Sequence, residues 1–213
     1  INVLRLDFRS RDYDFKDERE KAGVIAFSPS IELREHQKPA LEVTKKKDFG
    51  VIVAPPGSGK TITGLSVIAN KQQPALIIVH RKQLADQWAE RIESFLGIPK
   101  REIGKIGQGK NTIGKHITIA MIQSLEKAIE SEQAEKLLKS FGTIIVDECH
   151  HVPANTFRNT ISKFHTFYLY GLTATPFRKY NDGKLIFIHL GDIISEVKPQ
   201  DISDATGAKI IVR

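Results

Sequence analysis

The segment Ala54-Pro55-Pro56-Gly57-Ser58-Gly59-Lys60-Thr61 gathers two glycines, a lysine and two hydroxyls, the residue types that hold a chain of phosphates. Glycine lets the backbone turn tightly and aim its N–H groups inward, and a lysine adds a full charge at the β and γ phosphates. Upstream, Gly50 to Ala54 reads as a short buried strand. Downstream, Ile62, Leu65, Ile68 and Ala69 mark one face of a helix, so the loop opens onto a helix N-terminus and its positive potential. This is a P-loop in its strand-to-helix setting, with Ala54 where the strict pattern begins with glycine. Pro56, Gly57, Ser58, Gly59, Lys60 and Thr61 are the expected nucleotide-binding set, and the Thr61 hydroxyl is the expected Mg²⁺ ligand.

A carboxylate at the end of a later strand would complete such a site, and Thr143-Ile144-Ile145-Val146-Asp147-Glu148 supplies two. In a parallel sheet the carboxyl ends of the strands share one rim, where ligands sit, so Asp147 can reach a Mg²⁺ held at Thr61. Glu148 would then orient or deprotonate the attacking water. Lys60, Asp147 and Glu148 are the expected catalytic residues, and ATP with Mg²⁺ the expected cofactors. A catalytic-nucleophile reading of Cys149 with the adjacent His150 is rejected, because consecutive strand side chains point to opposite faces. The histidines His36, His116, His165 and His189 are scattered without metal-ligand spacing.

The elements that must position these residues follow a strand-helix rhythm from about Pro29 to Val197. Short apolar runs at Ala75 to His80, His116 to Met121, Thr143 to Asp147 and Phe167 to Leu172 suit buried parallel strands. Leu84, Trp88, Ile92 and Phe95 give a helix over Lys82 to Leu96, ended by Gly97 and Pro99. A helix is expected between Ser124 and Lys139, and a shorter one around Phe157, Ile161 and Phe164. Gly104, Gly107 and Gly109 read as a turn. The fold class is therefore α/β, a mostly parallel sheet with helices on both faces. Residues 1–28 are read as a small N-terminal appendage or the end of an upstream domain, beginning with a strand-like alternation of Val3, Leu4, Leu6 and Phe8. Residues 29–198 form the nucleotide-binding unit, and residues 199–213 a tail or linker, with Ile193, Ile194 and Val197 and then Ile210 to Val212 as candidate edge strands.

With 213 residues, 40% apolar and 27% charged, the chain has room for about one domain and its appendage. It carries 32 Lys and Arg against 25 Asp and Glu, a net charge of +7 that favours a polyanionic partner. No apolar run approaches the ~20 residues of a membrane span. One cysteine, Cys149, excludes an internal disulfide framework and makes a reducing, cytoplasmic setting the expectation. Because the chain opens on Ile1 and has one methionine, Met121, it is read as a fragment of a longer protein.

Asp147-Glu148-Cys149-His150 resembles motif II of the superfamily 2 helicases and translocases, and four further elements agree with it in order. Leu33-Arg34-Glu35-His36-Gln37 is similar to that superfamily's adenine-recognising Arg-x-x-Gln element. Val79 to Leu84 stands in the place of motif Ia, and Thr118 to Leu125 in that of the next nucleic-acid element. Gly171-Leu172-Thr173-Ala174-Thr175-Pro176 looks like motif III. The tetrad with His150 and the Gly-Leu-Thr-Ala-Thr-Pro run are most similar to the branch of restriction-enzyme motor subunits and XPB-like repair helicases. DEAD-box RNA helicases, with Ala-Asp at the positions of Cys149-His150, fit less well.

The resemblance implies a RecA-like first lobe in which Arg34 and Gln37 contact adenine. It implies that Thr173, Thr175 and His150 couple nucleotide state to the nucleic-acid surface, and that Arg81, Gln123 and Ser124 face nucleic acid. It favours duplex DNA as the partner, with an RNA helicase lobe or a nucleotide-gated interaction module as alternatives. Motors of this kind have a second RecA-like lobe that supplies an arginine finger, for which no residue here can be assigned. An arginine finger contributes about 10³ to 10⁵ in turnover. The 213-residue chain is therefore expected to bind nucleotide and hydrolyse it slowly, and brisk turnover by the monomer in a steady-state assay would contradict this.

Overall fold

A computed structural model of the chain describes residues 17–132, 134–175 and 189–206. Its elements, in order, are α1 (Lys38–Lys46), β1 (Phe49–Val53), α2 (Lys60–Lys71), β2 (Ala75–Val79) and α3 (Lys82–Leu96). There follow β3 (Gly104–Gly107), β4 (Lys110–Thr112), β5 (Ile117–Met121), α4 (Ile122–Ala128), α5 (Ala134–Lys139) and β6 (Thr143–Asp147). The series closes with α6 (Ala154–Asn159), β7 (Tyr168–Thr173), β8 (Ile193–Glu196) and α7 (Pro199–Thr206). The strands form one sheet in the order β4-β3-β5-β2-β6-β7-β1-β8, parallel throughout except for the β3–β4 hairpin. The mostly parallel sheet with helices on both faces is as expected.

Alternation along each strand divides the core into two layers. Val51, Val53, Leu76, Ile78, Ile144, Val146 and Leu169 face one side, where Leu125 of α4 and Phe157 of α6 cover them. Ile52, Ile77, Val79, Ile145, Tyr170 and Leu172 face the other, against Leu65 and Ile68 of α2 and Trp88 and Ile92 of α3. Strands apolar on both faces are what a doubly covered parallel sheet requires. Helix α3 ends as its sequence indicates, with Gly97 at φ 65° and its N–H on the carbonyl of Glu93.

Residues 17–30 lie along the edge where the strands begin, opposite the P-loop. Ile25 N–H donates to the Gln72 carbonyl at 2.9 Å and Ser30 N–H to that of Phe95 at 2.8 Å. Arg19 stacks 4.4 Å from the Phe167 ring centroid and pairs with Asp17 and Asp48.

Four expectations are corrected. The glycine-rich stretch is a hairpin, because Gly104 and Gly107 are paired in β3 and only Gln108-Gly109 turn. A strand can form there because Gly104 lies where a side chain would strike Thr112 O and the Thr118 hydroxyl. The stretch between Ser124 and Lys139 is two helices, α4 and α5. The segment around Phe157, Ile161 and Phe164 is α6 followed by a short 3-10 turn, Ile161–Lys163. The strand candidate at Ile193 and Ile194 is β8, parallel to β1, and it stops at Glu196, before Val197. Val3 to Phe8, Pro176 and Ile210 to Val212 lie outside the described residues.

Gly64, inside α2, is conspicuous because glycine in a helix interior costs about 1 kcal/mol relative to alanine. A Cβ there would stand 2.7 Å from Trp88 Cη2 and 3.0 Å from Leu172 Cδ1, so the missing side chain is what lets the indole approach the helix this closely. Gly64→Ala is expected to lower stability by about 1–2 kcal/mol despite its better helix propensity, as measured by denaturant unfolding.

Candidate nucleotide site

The P-loop, the carboxylate pair and the threonines meet at the carboxyl rim because β6, β7 and β1 are neighbours. Val53 is in register with Thr173, and Asp147 with Leu172. The N–H of Ala54 donates to the Thr173 carbonyl at 2.9 Å, so the loop leaves β1 tied to the end of β7. Gly57 and Gly59 both have φ near +80°, where a side chain would be strained, and their turns bring the chain to the start of α2 at Lys60. Thr61 occupies the first turn of that helix and is half-buried.

Lys60 reaches across the mouth of the loop. Its Nζ donates to Ala54 O at 3.2 Å and lies 3.5 Å from Glu148 Oε1, with the lysine side chain 13% exposed. Asp147 is buried at 5% exposure, and its two oxygens have separate donors: the Trp88 indole N–H at 2.7 Å on Oδ2 and the Glu148 backbone N–H at 2.9 Å on Oδ1. Burial pushes the Asp147 carboxyl above the ordinary range, the Trp88 bond opposes the shift, and the Glu148 charge adds to it.

At Glu148 the backbone enters the left-handed region, φ 46° and ψ 49°, and turns from β6 into a 3-10 turn over Cys149–His151. A non-glycine residue there stores on the order of 1–2 kcal/mol of strain. The turn aims the carboxylate back over the P-loop. Glu148 Oε2 is enclosed without a hydrogen bond, although His150 Nδ1 lies 3.3 Å away. That nitrogen makes a 2.8 Å hydrogen bond with Thr173 Oγ1. The hydroxyl in turn donates to Thr175 O at 2.9 Å, so it accepts from His150, whose proton is assigned to Nδ1.

The same turn corrects the reason for setting Cys149 aside. Cys149 and His150 do not follow one another on a strand, yet the conclusion holds, because Cys149 points inward at 1% exposure against Gly171. Burial, and then the charges of Glu148 and Asp147, push its thiol up to about 12, far from a reactive thiolate.

Gln37 is buried under the P-loop. Its Nε2 donates to Ser58 O at 2.9 Å and to Gly59 O at 3.3 Å, while its Oε1 accepts from Arg34 N–H at 2.9 Å. Arg34 itself is exposed. Arg81, Gln123 and Ser124 stand together at another part of the rim, because Val79 and Met121 are in register and each chain leaves its strand there. Arg81 and Gln123 are exposed and Ser124 is half-buried.

Four residues in or beside the site are absent from the sequence-based set. Trp88 was assigned only to an apolar helix face; its clue is that a buried indole N–H needs an acceptor. His36 is buried with Nε2 3.0 Å from Ser58 O, a role its neighbour Gln37 hints at. His80 and His151 stack against each other, which no sequence pattern signals.

The residues fit a magnesium-bound nucleotide. Two glycines at positive φ turn the loop tightly, open space lies where a Gly57 side chain would be, and the buried Ser58 hydroxyl and Glu148 Oε2 have no hydrogen-bond partner. A P-loop at the carboxyl rim with a lysine and two strand-end acids defines the class, a P-loop nucleotide-binding domain.

Comparison narrows this further. Residues 30–178 match the family described as type III restriction enzyme, res subunit, and the chain belongs to that family. It is a first lobe of the superfamily 2 helicase type. The chain is 32% identical to the DNA 3'-5' translocase XPB2 of Sulfurisphaera tokodaii over 86% of its length and 40% of that protein's. It is 30% identical to the DNA 3'-5' helicase XPB of Mycobacterium tuberculosis over 93% of its length and 35% of that protein's. The chain thus spans well under half of these curated relatives. In fold it is similar to the UvsW helicase of bacteriophage T4, with a TM-score of 0.67 at 18% identity, covering 92% of this chain and 77% of that one. It is also similar to the Hef helicase domain of Pyrococcus furiosus, TM-score 0.66 at 20% identity, over 84% and 41% of the two chains. Among the described residues no helix is long and apolar enough to cross a membrane.

Trp88→Phe removes the indole donor and leaves Asp147 Oδ2 unpaired. Stability is expected to fall by about 2–4 kcal/mol. Calorimetric binding of nucleotide should weaken more with Mg²⁺ than without it.

Proposed function

We propose that the chain is the ATP-binding motor lobe of a DNA-dependent ATPase, a duplex-DNA translocase or helicase that works by closing a cleft against a second RecA-like lobe. The observation that carries this reading is the placement of Glu148, held over Lys60 by a strained turn with one carboxylate oxygen unpaired. A domain that only bound nucleotide would have no need of that oxygen.

In this reading Pro56 to Thr61 hold the phosphates, with Thr61 and Asp147 toward Mg²⁺. The metal, when bound, supplies Lewis acidity at the transferred phosphoryl group. Lys60 leaves Ala54 O and Glu148 for the phosphate oxygens, which frees the Glu148 carboxylate. Glu148 Oε2 then orients a water and takes its proton. Gln37 and Arg34 would recognise adenine, and base recognition would then reach the Ser58 and Gly59 carbonyls through the Gln37 amide. His150 joins Glu148 to Thr173 and Thr175, a route from the hydrolytic site toward the interlobe face. Domain boundaries at residues 1–28, 29–198 and 199–213 go with this division of labour.

Duplex DNA is favoured as the track by what the two XPB relatives are named for and by the net charge of +7. Arg81, Gln123 and Ser124 would contact its backbone, which carries no sequence information and suits a motor that steps along any sequence. A cytoplasmic setting accords with the single buried thiol. The intact protein should hydrolyse ATP faster with duplex DNA than without, and Glu148→Gln should lower that rate by at least about 10²-fold while nucleotide binding persists. Stimulation by RNA alone would move the reading to RNA helicases. Nucleotide binding with a turnover that no nucleic acid changes would favour a gated interaction module.

A further inference from the structure

Three histidine rings stand in file across the rim beside the hydrolytic corner. His80 follows the last residue of β2 and precedes Arg81, while His150 and His151 lie on the turn after Glu148. The His80 and His151 ring centroids are 4.5 Å apart at 43°, and those of His151 and His150 are 4.0 Å apart at 41°. From His150 the file continues to Thr173 Oγ1 at 2.8 Å. Because β2, β6 and β7 are adjacent, the rings cross three strand ends. One end of the file is bonded to the exposed Arg81 at the start of a fifteen-residue helix, and the other reaches the Thr173–Thr175 turn.

The geometry gives the file a discrete choice to control. The Nδ1 proton of His150 has two acceptors, Thr173 Oγ1 in line at 2.8 Å and Glu148 Oε2 out of line at 3.3 Å. With the proton on Thr173, Glu148 Oε2 is free to take a proton from water; turned toward Glu148, it would occupy that oxygen. A small tilt of the His150 ring selects between them, and His151 packs against the face of that ring. His80 backs His151 in turn. Its Nδ1 is enclosed without a hydrogen-bond partner, and its ring is what meets His151. Burial, with the neighbouring His151 and Arg81, holds the His80 pKa below the usual histidine value, which keeps the ring neutral and able to stack.

We infer that His80 and His151 are positioning residues through which engagement of nucleic acid at Arg81 holds the His150 tilt on Thr173 and so keeps Glu148 free for hydrolysis. The inference rests on the motor reading above. It needs two sites biasing one two-state element, and the contested His150 proton is that element.

The test uses the intact protein, with His80→Ala, His151→Ala and the ring-retaining His80→Phe and His151→Phe. Basal ATPase, duplex-DNA affinity and DNA-stimulated kcat are measured for each, with thermal unfolding to verify folding. For the alanine variants, basal rate and DNA affinity should stay within about twofold while the stimulated kcat falls about five- to tenfold. The phenylalanine variants should recover most of it. Alanine variants with wild-type stimulation would overturn the inference alone, as would loss of stimulation that merely follows loss of DNA affinity or is not rescued by phenylalanine. A wild-type protein that no nucleic acid stimulates would overturn the motor reading and this inference together.

Discussion

The hydrogen bond from the Trp88 indole to Asp147 is the contact on which the rest of the site depends. A carboxylate at the end of an apolar strand loses most of its hydration, and burial already drives Asp147 toward its neutral form. The indole supplies a fixed donor in compensation, and the Glu148 N–H supplies a second. Trp88 can do this because its indole packs closely on α2, which is possible because Gly64 has no side chain. One bond thereby fixes three things at once: the packing of α3 on α2, the end of β6 and the orientation of the buried acid.

From that anchor the chain must leave β6 abruptly. Asp147 spends one oxygen on the next N–H, and Glu148 takes up a left-handed conformation that side chains ordinarily avoid. The consequence is a second carboxylate pointed over Lys60, with its other oxygen unpaired, and a third residue, His150, positioned against Thr173. Parallel neighbours in the sheet then do the rest. Ala54 is bonded to Thr173, so the loop, the acids and the threonines are joined along one rim, while Gln37 and His36 fasten the loop from beneath through the Ser58 carbonyl.

Much of this was legible in the sequence, and the parts that were not have a common cause. The P-loop and the Asp147-Glu148 strand end are local patterns, residue types at fixed spacing between a strand and a helix. The buried strands were legible too, because a doubly covered strand is apolar at every position. Trp88 was not, since its partner is 59 residues away in sequence and its helix face reads as plain core. β3 and β4 were hidden because glycine, lysine and asparagine are poor strand formers and pair here at an edge. The Glu148 turn could not be inferred from residue type, as glutamate has no preference for positive φ. Gln37 was expected beside the base; its grip on the Ser58 and Gly59 carbonyls emerges only from the fold.

The most direct test of the central assignment, that Lys60, Thr61 and Asp147 form one magnesium-nucleotide site, is calorimetric titration of this chain with ATP, with and without Mg²⁺, for the wild type, Lys60→Ala and Asp147→Asn. Binding should weaken at least about tenfold in Lys60→Ala. In Asp147→Asn the gain from Mg²⁺ should disappear while metal-free binding is kept. Unchanged ATP affinity in Lys60→Ala, or a full Mg²⁺ effect in Asp147→Asn, would contradict the assignment.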